Sequence, residues 1–473
     1  MRNFFLTNNT AIFLGTLFVG LFFCLSLLSS PLDHSCLLVC TLFFLFVIYS
    51  VWMYALKKQA PLFKHLLFII IVSLSSQLIL FFQAPYFNDF FRYLWDGHVT
   101  LQGFNPYITT PLQFFVDSSI MNLTEVWYWD QLYFRWISGV YGPTAQIFFF
   151  LSALFSSYSA IALKFLFFLL NVGSLYLGVR ILDTLSKPRF LIAFFALNPL
   201  WIFETMSSGH LESMIIFFLF AATYAYLRFR PILTGAFFSA LVLIKFFPLI
   251  LLPAILVSRR RWFMILLSFI LFSVLLYFPF VFDAHSFFDV FASLSAFSES
   301  WIFTPGLFDV LFSFLTWISL PKTLLVTKIL STVLLMLSVF ILYFWHTTPY
   351  RSQSRFFIRL FPFSRTWKTP SSLFSFIYAT FLVLLLTSSV VFSWYALWLV
   401  CLLPFIKHKT TGIVFSFVSI FQYLLIFFDG ETYRYMYDGR ILWFQLLFYI
   451  PVFIALFYDL RAHALSIKHP YSS

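Results

Sequence analysis

Residues 262 to 282 read "WFMILLSFILFSVLLYFPFVF" without one charged side chain, and stretches of this length and character recur along the chain. About 20 apolar residues span the ~30 Å hydrocarbon layer of a bilayer as a helix, because a helix satisfies its own backbone N–H and C=O groups where water is absent. This feature leaves little room for a soluble fold. Composition agrees: 62% of the 473 residues are hydrophobic and only 10% are charged, far from soluble averages. The expected fold is an all-α polytopic membrane protein. The 73 Phe residues then fit lipid-facing surface better than aromatic binding.

Apolar runs near 10–29, 36–55 and 65–83 give three crossings. Further runs lie near 161–182, 189–204, 211–227, 232–245, 247–257, 262–282, 322–346, 371–391, 394–406, 410–428 and 441–458. Together they predict a bundle of roughly 12 to 14 transmembrane helices. The stretches 143–157 and 306–320 break the inside–outside parity and are expected to be short or re-entrant, and 232–257 and 394–406 hold pieces too short to span alone. Three regions are expected: a two-helix addition at 1–64, a membrane module at 65–282 that includes an external loop at 84–140, and C-terminal helices at 283–473. The N-terminal run follows Arg2 without a small-residue cleavage site and is expected to be a retained helix.

The net charge of +12 does not form a continuous patch, so no nucleic-acid partner is expected. Its clusters are better explained as cytoplasmic loops. They comprise Lys57, Lys58 and Lys64; Arg180, Lys187 and Arg189; Arg228 and Arg230; Arg259, Arg260 and Arg261; Arg351, Arg355, Arg359, Arg365 and Lys368; and Lys407, His408 and Lys409. With these inside, 84–140, the turn at 204–210, the turn after Lys245, Trp394 with Tyr395, and "DGETYRYMYDGR" at 429–440 fall outside. Sequons at Asn8 and Asn122 matter only in a eukaryotic host. The four cysteines form no CxxC and have no His at ligand spacing, which indicates neither a disulfide framework nor a zinc site.

Within the external loop stands "NDFFRYLWDGHVTLQGFNPYITTP". Helical spacing puts Asp89, Arg92, Tyr93 and Asp96 on one face and Phe90, Phe91, Leu94 and Trp95 on the other. This predicts a short helix lying along the membrane surface, aromatic side in the headgroups and ionisable side toward a water-filled pocket. A plainer alternative is a surface helix whose charges merely pair with one another. Position favours function, since Asp89 follows an apolar helix by a few residues, and an ionisable group at that depth is costly. Beyond it, "NPY" supplies Asn105 and Tyr107 in an extended turn, and "YGPTAQ" returns the chain to the membrane.

Two more stretches are expected on the same side. "LNPLWIFETMSSGHLES" brings Glu204, His210 and Glu212 to a helix mouth, an acid, base or hydrogen-bonding group. "LVLIKFFP" carries Lys245 at the end of a short helix. A buried ammonium there requires an anion, either a protein carboxylate or a lipid-linked phosphate, unless it snorkels to the headgroups.

In their order, "NDFFRYLWDGHVTLQGFNPY", "YGPTAQIFF", "LNPLWIFETMSSGHLES", "LVLIKFFPLILLP" and "FSWYALWLV" resemble the GT-C superfamily of integral-membrane glycosyltransferases, especially its polyprenol-phosphomannose-dependent mannosyltransferases. The resemblance covers most of the chain from about 85 to 410. It implies a catalytic acidic residue in the first large external loop, falling on Asp89. Where relatives carry Asp-x-Asp, the first position is Phe87 here, and their "GHND" is "GHLE" at 209–212. One carboxylate of the pair is thus missing, so a divalent cation is possible but not indicated.

The resemblance further implies a hexose, mannose among the relatives, passed from a polyprenyl-phosphate donor to a glycan or lipid acceptor with inversion. Asp89 would be the base, with Asp96 beside it at the catalytic centre; Lys245 and Arg92 would meet the donor phosphate. Tyr93, Asn105, Tyr107, His210, Glu212, Trp394 and Tyr395 would line the sugar and acceptor. The compartment implied is a bacterial inner membrane, with membrane lipid around the protein and the site facing outward. Competing classes are a transporter or flippase, which should show two similar halves, and a glycan polymerase or ligase, which should carry an arginine-rich external loop.

Overall fold

The computed structural model describes residues 8–28, 35–58, 63–117, 129–156, 159–257, 261–281, 287–291, 293, 302–349, 365–428 and 439–468. These residues are overwhelmingly helical. Their strand structure is one short antiparallel ribbon, Thr347–Pro349 with Arg365–Trp367, and a single bridge between Phe303 and Val390. In chain order the first helices are α1 (Asn8–Ser26), α2 (Ser35–Lys58), α3 (Phe63–Phe81), α4 (Asp89–Leu101), α5 (Pro111–Asp117), α6 (Pro143–Phe155) and α7 (Ala160–Thr184). After them come α8 (Ala193–Ala196), α9 (Pro199–Phe203), α10 (Glu212–Leu227), α11 (Pro231–Val242), α12 (Leu252–Ile255) and α13 (Trp262–Val281).

Among the described residues six helices are long and apolar enough to cross a membrane: Ser35–Leu56, Ala160–Thr184, Trp262–Val281, Thr323–His346, Pro370–Thr387 and Phe444–Leu465. The pair Arg189–Ala196 and Pro199–Met206, bent by 59°, makes a seventh if it is one span. Shorter apolar helices such as Pro143–Phe155, Glu212–Leu227, Pro231–Val242 and Leu307–Trp317 fill in around them. The chain is thus an all-α, multi-pass membrane protein in which full-length spans are mixed with short ones. Two expected crossings are broken into single turns: 247–257 becomes Phe247–Leu251 with α12, and 394–406 begins with Ser393–Ala396 and Leu397–Val400. Leu397, Leu399, Val400 and Leu402 are wholly buried. Irregular backbone at membrane depth survives where protein covers it.

Burial separates the outer helices from the inner ones. Trp262–Val281 and Thr323–His346 bury only 17% and 22% of their most apolar window, against 61% for Pro370–Thr387, so the first two present their side chains to lipid. The innermost layer is α8, α9, the start of α10 and the 397–406 segment, where Phe203, Trp201 and Leu211 have no exposure. The N-terminal helices share this core: Phe18 packs edge-on to Trp52 and the Tyr49 hydroxyl donates to the Phe194 carbonyl at 2.9 Å.

One expectation about α4 is overturned. Its aromatic face does not lie in the headgroups; Phe90, Phe91, Leu94 and Trp95 are all buried in the protein core. Trp95 meets Phe114 and Trp129 edge-on, and Phe90 meets Phe167. The period of an amphipathic helix shows that one face avoids water, but lipid and protein satisfy it equally. Several residues used above lie outside the described residues, or their side chains do: Lys57, Lys58, Lys64, Arg259, Arg260, Arg351, Arg355, Arg359, Arg365, the sequon residues Asn8 and Asn122, and the polar stretch 429–440.

Candidate active site

Three backbone approaches, each dependent on a glycine, bring the site together. A Cβ on Gly97 would stand 2.4 Å from the Phe149 carbonyl oxygen, so α4 and α6 cross with backbones in contact, and Tyr93 stacks on Phe149 at 4.9 Å. A Cβ on Gly142 would stand 2.3 Å from the Leu243 oxygen. There the Gly142 and Thr144 N–H groups donate to the Ile244 and Leu243 carbonyls, each at 3.0 Å, which locks the "YGP" turn onto the end of α11 beside Lys245. Gly209 has φ +73° and would place a Cβ 2.3 Å from the Phe90 ring, so only glycine suits both the left-handed backbone and the space. It ends the π-turn Glu204–Ser208, a feature found often at functional sites.

These approaches seat a charged constellation. Lys245 Nζ lies 2.8 Å from Glu212 Oε1, with Glu212 fully buried and Lys245 17% exposed. The ammonium also faces the Tyr395 ring at 5.2 Å; Tyr395 stacks on Trp398, and Trp398 on Phe247 at 3.7 Å. Asp89, by contrast, is exposed. Surrounding protein nevertheless crowds its carboxyl, which is pushed up to about 6; Lys245 pulls it down and Glu212 pushes it further up. Asp89 is thus a group that water reaches while protein surrounds it. Among the described residues neither Asp89 oxygen is held by a hydrogen bond or an ion pair.

Behind this lies a second acidic group. Glu204 accepts from Ser393 Oγ and the Tyr423 hydroxyl through Oε1, and its Oε2 stands 3.5 Å from His210 Nε2. The His210 ring stacks on Trp394 at 3.8 Å and tilts against Phe87. Phe87, in the place of a relative's aspartate, is thus a packing residue.

The expected site residues therefore divide. Asp89, His210, Glu212, Lys245 and Tyr395 come together. Arg92 and Asp96 form their own pair at 2.9 Å, and Gln146 donates to the other Asp96 oxygen at 2.9 Å. Asp96, 1% exposed, is saturated by these partners, and Arg92 is turned toward it and the Phe134 carbonyl. Asn105 donates to the Phe280 carbonyl and accepts from the Tyr107 N–H, while the Tyr107 hydroxyl donates to the Tyr141 carbonyl. Both hold the loop onto α13 and the "YGP" turn. Tyr93 is buried against Phe149 and Tyr141, and Trp394 stacks on Phe392 as well as on His210.

Gln146, Ser393 and Tyr423 were missed by the spacing argument. Gln146 does follow the conspicuous "YGPTA", whereas nothing in "FQYLLIFF" marks Tyr423. Among the described residues no three His, Cys, Asp or Glu side chains gather as a metal set.

No curated protein matches the chain. Residues 140–361, which hold the "YGP" turn, the 204–212 turn and Lys245 but not Asp89, match the model of glycosyltransferase family 87, and that match indicates a glycosyltransferase, in line with the GT-C-type resemblance of the motifs.

Proposed function

We propose that this glycosyltransferase takes a hexose from a polyprenyl-phosphate carrier and delivers it to a hydroxyl of a glycan or lipid acceptor on the extracytoplasmic side of the membrane. The observation that carries the proposal is the unheld, water-reached Asp89 within electrostatic reach of the Lys245–Glu212 pair. With its carboxyl pushed up to about 6, Asp89 is largely ionised at neutral pH and still basic enough to accept a proton. It removes the proton of the acceptor hydroxyl as that oxygen bonds to the anomeric carbon. The bond from that carbon to the phosphate oxygen breaks on the opposite side, and the carrier phosphate leaves with the electron pair. This displacement inverts the anomeric centre.

Lys245 is the cation for the leaving phosphate. Its ammonium faces the Tyr395 ring, itself braced by Trp398 and Phe247, and Glu212 aims it. A charge fixed before the reaction stabilises the departing anion without reorganisation. His210 and Glu212, both buried, shape the sugar side of the site from behind Asp89 and Lys245. Arg92 and Asp96 act at one remove, as the pair that holds α4 against Gln146 of α6. Mannose as the sugar follows from the resemblance alone.

The decisive experiment uses the purified protein, radiolabelled polyprenyl-phosphate sugars and a crude lipid and glycan extract. Asp89→Asn is expected to lower transfer by roughly 100- to 10,000-fold with an unchanged elution profile. Full transfer by that variant would remove the base and with it the mechanism.

A further inference from the structure

At the far end of α10 the helices part. A cavity of about 550 Å³ opens between α7, α10 and α11, with Gly173, Tyr176, Ala221 and Ala225 among its lining and Arg228 and Arg230 at one end. It is separate from the proposed catalytic cleft: Glu212 begins α10 and Arg228 follows its last residue, a distance of about 24 Å at 1.5 Å per residue. The space exists because small residues line the helix faces. Ala221 and Ala225 are buried, and the Phe217 ring closes on Gly173, where a Cβ would stand 2.7 Å from it. The outer lip is open, with Tyr176 and Leu233 at 62% and 48% exposure.

The arginines give the groove a polarity. Arg228 and Arg230 are both exposed, and among the described residues neither has an acidic partner. The positive-inside expectation puts them at the cytoplasmic headgroup level. A slot that is apolar along its length and cationic at its headgroup end matches the shape and charge of an anionic phospholipid, and basic pockets between transmembrane helices bind such headgroups. The volume lies within the range of small-ligand sites, ~300–1,000 Å³.

The geometry points to a structural site for one anionic phospholipid, an acyl chain lying between α7, α10 and α11 and the phosphate held by Arg228 and Arg230. A lipid in this place braces the end of α10 whose other end carries Glu212.

Native mass spectrometry of the full chain in detergent tests this, with phosphatidylglycerol titrated against phosphatidylcholine of the same chains. The wild-type protein is expected to retain one phosphatidylglycerol in preference. Arg228→Gln with Arg230→Gln should weaken that binding about thirtyfold, the equivalent of ~2 kcal/mol at ~1 kcal/mol per cation. The paired Arg→Lys changes should keep most of it, and Ala225→Leu, which fills the slot and leaves the charges, should lose it. Equal retention of the two lipids, or undiminished binding by the Gln pair or by Ala225→Leu, overturns the site. Displacement of phosphatidylglycerol by an equal concentration of polyprenyl phosphate overturns it too, since the groove would then belong to the carrier.

Discussion

At the residue scale the site turns on which carboxylate is left free. Asp96 is ion-paired and hydrogen-bonded, Glu204 is held by two hydroxyls, and Glu212 is held by Lys245; of these four, Asp89 alone reaches water, and among the described residues neither of its oxygens is held. If Asp89 is the base, kcat/KM should rise with pH through about 6 and then level, because the protonated carboxyl cannot accept the acceptor's proton; a flat profile from pH 5 to 8 would contradict this. The Lys245–Glu212 pair makes a separate prediction. Replacing either partner leaves a charge with little access to water, at a cost of about 3–5 kcal/mol, so Lys245→Met and Glu212→Gln should each lower the melting temperature. The double variant should recover much of the loss, and strict additivity would show that the two are not coupled.

At the element scale, the candidate site is assembled by helices approaching until backbones touch. Gly209→Ala forces a left-handed backbone on alanine and drives its methyl into Phe90, the residue after Asp89. It should cost more than ~1 kcal/mol and reduce transfer beyond the stability loss, measured by thermal melting beside activity at a permissive temperature. Gly142→Ala meets a carbonyl oxygen and not a pliable ring, so it should be the more damaging of the two. The sequence marked both positions as turns, yet what each turn packs against was not legible, because the contacting residues, Leu243 and Phe90, lie about a hundred residues away.

At the scale of the whole molecule the prediction concerns sidedness. With the candidate site outside, a cysteine at Gln102, exposed just past α4, should react with an impermeant maleimide added to intact cells. One at Arg230 should react only after lysis. The reverse pattern would place the Asp89 cleft on the cytoplasmic side and remove the proposed orientation. The full-length spans and the short, bent ones have complementary places in this arrangement: α13 and Thr323–His346 face lipid, while the broken pair at 189–206 carries Glu204 into the interior.

Sequence alone determined the membrane-embedded helical class, since runs such as 262–281 satisfy their backbones in no other way, and it picked out Asp89, His210, Glu212 and Lys245, since ionisable groups are conspicuous in so apolar a chain. Tertiary structure decided which of the marked groups have their polar atoms already bonded. Asp96, Asn105 and Tyr107 look equally functional in a helical wheel or a turn, but their polar atoms are consumed by Arg92, Gln146, Phe280 and Tyr141. Hydrogen-bond saturation is a property of neighbours, and neighbours here come from distant parts of the chain.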